Sequence, residues 1–575
     1  CLLMARRAGR RTDMAMAQSG PGRRRFLMVG GLSLAAAAAA GAGIGEFLAG
    51  HRRSALGRPR GGPGGSPRGT GSPSPSPTAT PVSRAPGPAD WAALRRQLSS
   101  RVLVTPDSPG YDTAKLLFDP KFDQTRPQGI AYCATAADVA ACVAFVRRFG
   151  LPVAARSGGH SYGGWSSSTG LVIDVSKLSR VSVDVGAGTV RVGSGTLLID
   201  LYSQVAAHGL AVPGGSCPTV GIAGLALGGG VGVVSRLFGL SCDNIVGVQI
   251  VTADGAVHEC SASSVGGDAD LFWACRGGGG GSFGVVTEFT FRTHPAPELV
   301  LFFLQWPWSV AAQVIDAWQS WAPDAPDELW SNLHLNASPG GGSPQISVGG
   351  TYAGTAAQAQ VLLDRLYSAA GSQPSGVFVR SEEFLSCMLV EAGCSDLSVE
   401  QCHLPIQNPA GTLDRPPEYA KSDFYTERLP AKGISTLLDQ VAALGQVDGA
   451  PGGVGGVAFD AFGGAINRIG AGQTAFVHRD ALFLAQYSTG WSPGIEPAGG
   501  SGSAAAARQR AWLASFHAAM RPYASGQAYQ NYADPDLADW QRAYYGANYA
   551  RLQRIKAAVD PANLFRFPQS IELPA

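Results

Sequence analysis

The chain is poor in charge, with Asp, Glu, Lys and Arg making up only 15% of its 575 residues. The first 89 residues hold 13 Arg, no Lys and two acids, Asp13 and Glu46, a balance of +11. What remains has 31 basic against 40 acidic residues, a balance of −9. A body this acidic lacks the clustered positive charge that nucleic acid binding requires. Ten cysteines occur with no C-x-x-C and no paired zinc spacing, and nine histidines form no H-E-x-x-H. A metal centre and a metalloprotease are therefore unsupported. There is also no long apolar run. The stretch from Met28 to about Ile44 is glycine-rich and short for a membrane span, so no stable insertion is expected beyond a signal region.

That signal region spans residues 1–49. Arg23-Arg24-Arg25-Phe26-Leu27 before a weakly apolar Ala/Gly segment fits a twin-arginine export pattern. Residues 50–90, dominated by Gly, Pro and Ser, read as a linker with nothing to bury. The expected destination is export or secretion, or the outer face of the cytoplasmic membrane. Outside the tail the cysteines number nine, so in an oxidising compartment one of them has a different role. Cys387, Cys394 and Cys402 can supply a disulfide there, with the pairing open.

Glycine is abundant, 77 residues gathered into a few loops. Arg156-Ser157-Gly158-Gly159-His160-Ser161-Tyr162 carries a lone histidine, and the run from Gly214 to Gly232 a lone cysteine, Cys217. Glycine lets backbone approach a ligand closely, so both loops read as main chain wrapped around a bound group. The surroundings are α+β. Thr135 and Asp138 make a capping box for a helix that Gly150 stops. Strands are predicted at 152–155, 171–175, 246–252 and 285–291, a hairpin over 181–193, and helices at 197–208 and 268–275.

Two motif matches fail on context. Gly279-x-Gly281-x-x-Gly284 satisfies the dinucleotide fingerprint but follows a predicted helix and opens a predicted strand, the reverse of a Rossmann turn. Gly159-His160-Ser161-Tyr162-Gly163 satisfies the serine-hydrolase pattern, with Ser161 as nucleophile. That elbow needs a helix directly after the serine, and here Gly164 to Gly170 leads into a strand. A serine esterase remains one alternative, and a flavin-binding protein without catalysis the other.

The His160 loop followed by Gly215-Ser216-Cys217-Pro218-Thr219-Val220-Gly221 resembles the oxygen-dependent FAD-linked oxidases of the berberine-bridge-enzyme-like group, in the vanillyl-alcohol-oxidase (PCMH-type) superfamily. The resemblance continues at Cys242-Asp243-Asn244, at Tyr529-Gln530-Asn531-Tyr532-Ala533-Asp534 and at Asp560-Pro561. It implies FAD joined to the protein twice, through His160 and Cys217. It further implies cofactor contacts at Arg156, Ser157, Gly158, Gly159, Ser161, Ser216, Val220, Gly221, Gly224, Gly228, Gly229, Gly230, Val286 and Asn531. Tyr529 would lie over the flavin as base or polariser. A free phenol titrates near pH 10, so Tyr162 or a nearby positive charge must assist it.

Residues 105–297 are thus expected to form the FAD-binding domain and 298–523 a substrate domain whose exposed sheet face roofs the flavin. Residues 524–575 would return to the first domain. Trp306, Trp308, Trp330, Tyr425 and Trp491 are candidates to line a pocket, with Gln486 and Tyr487 on a strand beside them. The fold expected is α+β, a two-subdomain PCMH-type FAD-binding domain plus a mostly antiparallel sheet backed by helices. The function implied is hydride transfer from a sugar, oligosaccharide or secondary-metabolite hydroxyl to FAD, with O2 as acceptor giving H2O2.

Overall fold

A computed structural model of the chain describes residues 84–492 and 503–575. The twin-arginine pattern and nearly all of the predicted linker lie outside the described residues. The linker's last residues do not, because a helix starts at Pro88 and runs to Gln97. Proline is preorganised for a first helical position, and Asp90 in the first turn accepts from Gly87 N and pairs with Arg84.

Among the described residues, two larger sheets build the first region, beside a two-stranded pair of Leu210–Ala211 with His294–Pro295. Leu103–Val104, Gly129–Tyr132, Leu171–Asp174 and Val153–Arg156 lie side by side in that order, and the last three run parallel. Parallel pairing needs a crossover, which the helix Ala136–Phe149 supplies. Its Thr135 cap accepts from Asp138 N, and Gly150 ends it in the left-handed region at φ 63°. Val139, Cys142, Val143 and Val146 bury its inner face. The second sheet is antiparallel, in the order Val181–Asp184, Thr189–Gly193, Val285–Arg292, Ile245–Val251 and Val257–Ser261. The His160 loop leaves the first sheet at the carboxyl end of Val153–Arg156, where open α/β sheets present their ligands.

The third sheet has seven antiparallel strands, in the order Gly376–Glu382, Leu299–Trp306, Gln345–Ala353, Leu329–Ala337, Val454–Ala461, Phe483–Gly490 and Glu418–Tyr425. Strand side chains alternate between faces. Leu333, Leu335, Val457, Phe459, Phe483 and Ala485 face one way and pack against helices Ala311–Trp321, Ala356–Ala370, Ala431–Ala443 and Ala504–Met520. Their neighbours Asn332, His334, Ala458, Asp460 and Gln486 face the other way, into a cavity shared with the first region.

Two buried cations join the parts. Arg236 donates to the carbonyls of Pro323, Ala325, Leu329 and Phe462, tying the first region to the third sheet. Lys556, fully buried, ties the C-terminal segment to Ser282 O at 2.7 Å. Of the three cysteines considered for a disulfide, Cys394 and Cys402 are bonded, and Cys387 is a buried thiol. No helix among the described residues is long and apolar enough to cross a membrane.

Candidate functional site

The two glycine loops meet backbone to backbone. A Cβ on Gly158 would lie 2.2 Å from Gly221 N, and one on Gly221 2.1 Å from Ser157 Oγ. Only glycine permits that approach. The contact places His160 and Cys217 on the wall of one cavity of about 1090 Å³. A single hydroxyl touches both: Thr219 Oγ1 is 2.9 Å from His160 Nε2 and 3.8 Å from Cys217 Sγ. Phe118 stacks on the imidazole with centroids 4.0 Å apart. Burial holds the His160 pKa down to about 3, so the ring is neutral at physiological pH and keeps a nitrogen lone pair.

The same wall has room and polarity for FAD. Arg156 Nε pairs with Asp174 at 2.5 Å, while its Nη1 is buried with no protein partner. A spare guanidinium nitrogen in a cavity wall suits a phosphate oxygen. A Cβ on Gly224 would meet nothing within 4 Å, and one on Gly280 nothing nearer than 3.8 Å. Both glycines border the void, so bare backbone keeps open the space a long, flat cofactor needs. The residues present fit the group.

Gly158, Gly159, Ser161, Ser216, Val220, Gly221, Gly224, Val286 and Asn531 also line this cavity. Ser157 is turned away, its hydroxyl donating to Ser194 O at 2.7 Å. Ser161 Oγ accepts from Trp165 N at 3.2 Å and closes a turn that leads on to a strand, so the geometry of a hydrolase elbow is not there. Gly228, Gly229 and Gly230, expected in the cradle, serve another purpose. Added Cβ atoms would strike Asn531 Oδ1 at 2.0 Å, Phe476 at 3.0 Å and Ser241 Oγ at 2.2 Å respectively. Their bareness admits the C-terminal segment and the Ser241 turn. Gly279, Gly281 and Gly284 follow a helix and open the strand Val285–Arg292, yet their backbone lines the cavity.

Of the five candidate aromatics, Trp330 reaches the cavity. Trp306 and Tyr425 belong to the core behind the third sheet with Trp308 packed on it, and Trp491 is buried in a separate small cluster. Tyr487 also faces the helices and hydrogen-bonds the Tyr425 hydroxyl at 2.6 Å. Its neighbour Gln486 faces the cavity and donates to the Tyr162 hydroxyl at 2.9 Å.

Tyr529 Oη accepts from Gly230 N and from Asn531 Nδ2, both at 2.8 Å. Burial nevertheless pushes its pKa up, and burial with the charge of Glu418 pushes that of Tyr162 up further. Hydrogen bonds from Gly230 N and Asn531 oppose that rise at Tyr529, and one from Gln486 opposes it at Tyr162, but burial outweighs them and no cation is among the leading causes within the described residues. The better-matched acid–base groups are ones the sequence reading missed. Burial raises Asp460 to about 7. Burial and then the charge of Asp460 raise Glu391, the last residue of helix Phe384–Glu391, to about 7. Burial lowers His334 to about 4. A cue for Asp460 was available, since an acid stands alone inside the apolar strand Val457-Ala458-Phe459-Asp460-Ala461.

A strap over the loops completes the wall. Gln407 Nε2 donates to Gly158 O at 3.3 Å and to Thr219 O at 3.0 Å, bridging the segments that carry His160 and Cys217. Gln407→Ala removes both bonds and is expected to cost about 1–2 kcal/mol. Thermal denaturation of the holoprotein checks it, and an unchanged midpoint would contradict the bridging role.

Residues 127–261 match the family model described as FAD binding domain, and residues 528–572 the model described as Berberine and berberine like. The chain is 31% identical over 484 residues to the uncharacterized FAD-linked oxidoreductase YgaK of Bacillus subtilis (strain 168), covering 83% of this chain and 98% of the relative. Physcomitrella patens BBE-like 1 superposes with a TM-score of 0.74 at 31% identity, over 84% of this chain and 99% of that one. A chitooligosaccharide oxidase superposes with a TM-score of 0.73 at 26% identity, over 85% of this chain and 99% of that one.

Proposed function

Because this chain belongs to the berberine-bridge-enzyme-like FAD-linked oxidoreductases, we propose that it oxidises a hydroxyl on a small molecule and holds its cofactor covalently at His160 and Cys217. The observation that carries this reading is a single cavity with His160 and Cys217 on one wall and the ionisable sheet face on the other. FAD, when bound, supplies the two-electron acceptor for the substrate C–H and passes the electrons to O2 as H2O2.

The chain's own residues supply the rest. His160 is held neutral by burial and so remains a nucleophile. Thr219 Oγ1 engages its Nε2, so Nδ1 would be the nitrogen free to hold the cofactor. Asp460, ionised above about 7, accepts the proton of the substrate hydroxyl as the carbonyl forms. Tyr529 and Tyr162 stay protonated near neutrality and orient the reacting oxygen by hydrogen bonding. The substrate class we propose is a sugar, an oligosaccharide or a secondary-metabolite alcohol, in line with the chitooligosaccharide oxidase among the similar structures.

Denaturing the holoprotein in acid tests the attachment. Yellow colour is expected to stay with the precipitated polypeptide, and release into the supernatant would show that neither tether forms. Anaerobic mixing with sugars and alcohols separates an oxidase from a flavin-binding protein without catalysis. Bleaching is expected with a substrate of the first kind.

A further inference from the structure

Phe118 engages the His160 loop twice. Its backbone N donates to Gly159 O at 3.1 Å, and its buried ring stacks on the imidazole at an interplanar angle of 19°. Thr219 Oγ1 fixes one ring nitrogen of His160, but a single hydrogen bond leaves the ring free to tilt about that contact. The stacked face of Phe118 removes that freedom. A nitrogen lone pair lies in the plane of its ring, so the plane decides which atom it can reach. Phe118 belongs to a small core of its own, with Ile199, Ala392, Cys394, Cys402, Leu404 and Leu413. The last five come from the strap, residues 392–415, which carries no helix or strand. Loops this long without regular structure are uncommon in compact domains and are usually functional when ordered. Cys394–Cys402 closes the strap on itself. Gln407, His403 on Asp200 and Arg415 on Asp123 bind it to the first region. Arg415 Nε also donates to Leu117 O at 2.6 Å, the carbonyl joined to the Phe118 nitrogen. The strap therefore grips Phe118 through backbone and side chain alike.

We propose that Phe118 positions the His160 imidazole for cofactor attachment, held to that task by the strap that Cys394–Cys402 closes. This rests on the reading of His160 as an attachment point and adds what prepares it. Attachment forms one N–C bond between the imidazole and a methyl carbon of the cofactor. The imidazole proton, one methyl proton and an electron pair leave, and O2 takes all of them as H2O2. Phe118 takes no part in the transfer. It sets the plane from which the nitrogen attacks, and a misplaced reacting atom slows such a step steeply.

A Cys217→Ser background isolates the His160 link, because yellow colour that survives acid then reports on one tether. In full-length protein of that background, Phe118→Leu is expected to lower the acid-stable fraction of bound flavin about 10-fold or more. Leucine keeps the small core apolar but offers no flat face, so total bound flavin should stay within about 2-fold. Phe118→Tyr keeps the ring and should hold attachment within about 3-fold of the parent. Cys394→Ala combined with Cys402→Ala should lower the acid-stable fraction by about 3-fold or more, through a looser strap. Mass mapping of the His160 peptide identifies the linked residue. No flavin on that peptide in the Cys217→Ser parent would remove the attachment reading and this inference with it. A linked parent would overturn this inference alone in any of three cases: Phe118→Leu is linked as fully, the Leu and Tyr variants lose the link alike, or the strap variant keeps it whole.

Discussion

Asp460→Asn is expected to lower kcat by about 10²- to 10⁴-fold, the contribution typical of a positioned general base, with flavin content unchanged. The side chain projects from the strand Val454–Ala461 into the cavity, where burial raises its pKa to about 7. A raised carboxyl is protonated below that value and becomes a base above it. The unaltered enzyme should therefore gain activity as pH rises through about 7. In D460N that limb should vanish, because an amide does not titrate. Tyr529 and Tyr162 cannot produce it, since burial moves both phenols upward, away from neutrality. Initial rates of H2O2 formation between about pH 5 and 9 check the prediction. A variant with more than a third of the original rate, or with the same pH profile, would remove Asp460 from the proton-accepting role.

Lys556→Met is expected to cost about 3–5 kcal/mol, the penalty for leaving one member of a buried ion pair alone. Lys556 Nζ and Asp560 Oδ2 are 2.6 Å apart with both side chains fully buried. The ammonium also donates to Ser282 O at 2.7 Å and Phe565 O at 2.6 Å. The carboxylate in turn accepts from Leu564 N at 2.7 Å and Phe565 N at 2.8 Å. Without the cation the carboxylate keeps its backbone donors but loses its countercharge, and Ser282 O loses a partner. The damage should reach the cavity, because the same segment carries Tyr529 and Asn531. Chemical denaturation should show the loss, and adding Asp560→Asn should restore part of it. If the double variant is no more stable than K556M, the penalty does not come from an unpaired carboxylate.

Legibility from the sequence followed the range of the interaction concerned. The helix Ala136–Phe149 was readable because its cap, apolar period and terminal glycine are all local. The pairing of the His160 and Cys217 loops was readable because both are glycine-rich and each holds one reactive side chain. Alternation along Phe483–Gly490 marked two faces but not which one met the helices, so Gln486 and Tyr487 looked equivalent until packing separated them. Gly228 to Gly230 look like a ligand cradle in sequence, and their true neighbours, Asn531, Phe476 and Ser241, include residues some 250 to 300 positions away. Strand Glu418–Tyr425 was missed because Lys421, Ser422 and Asp423 break its apolar pattern, and each is satisfied by a partner distant in sequence. Glu391 offered no local sign at all.

The hydrogen bond from Gly230 N to Tyr529 spans 299 positions of chain. Ribosomes add about 5–20 residues per second, so Tyr529 emerges roughly 15–60 s after the glycine it must meet. Throughout that interval the glycine loops exist without the segment that closes over them, and Ser282 O waits for an ammonium not yet made. The cavity is therefore a product of chain completion. Any loading of cofactor into its finished form belongs after translation, and a ribosome stalled between Gly230 and Tyr529 would hold a first region whose cavity still lacks one wall.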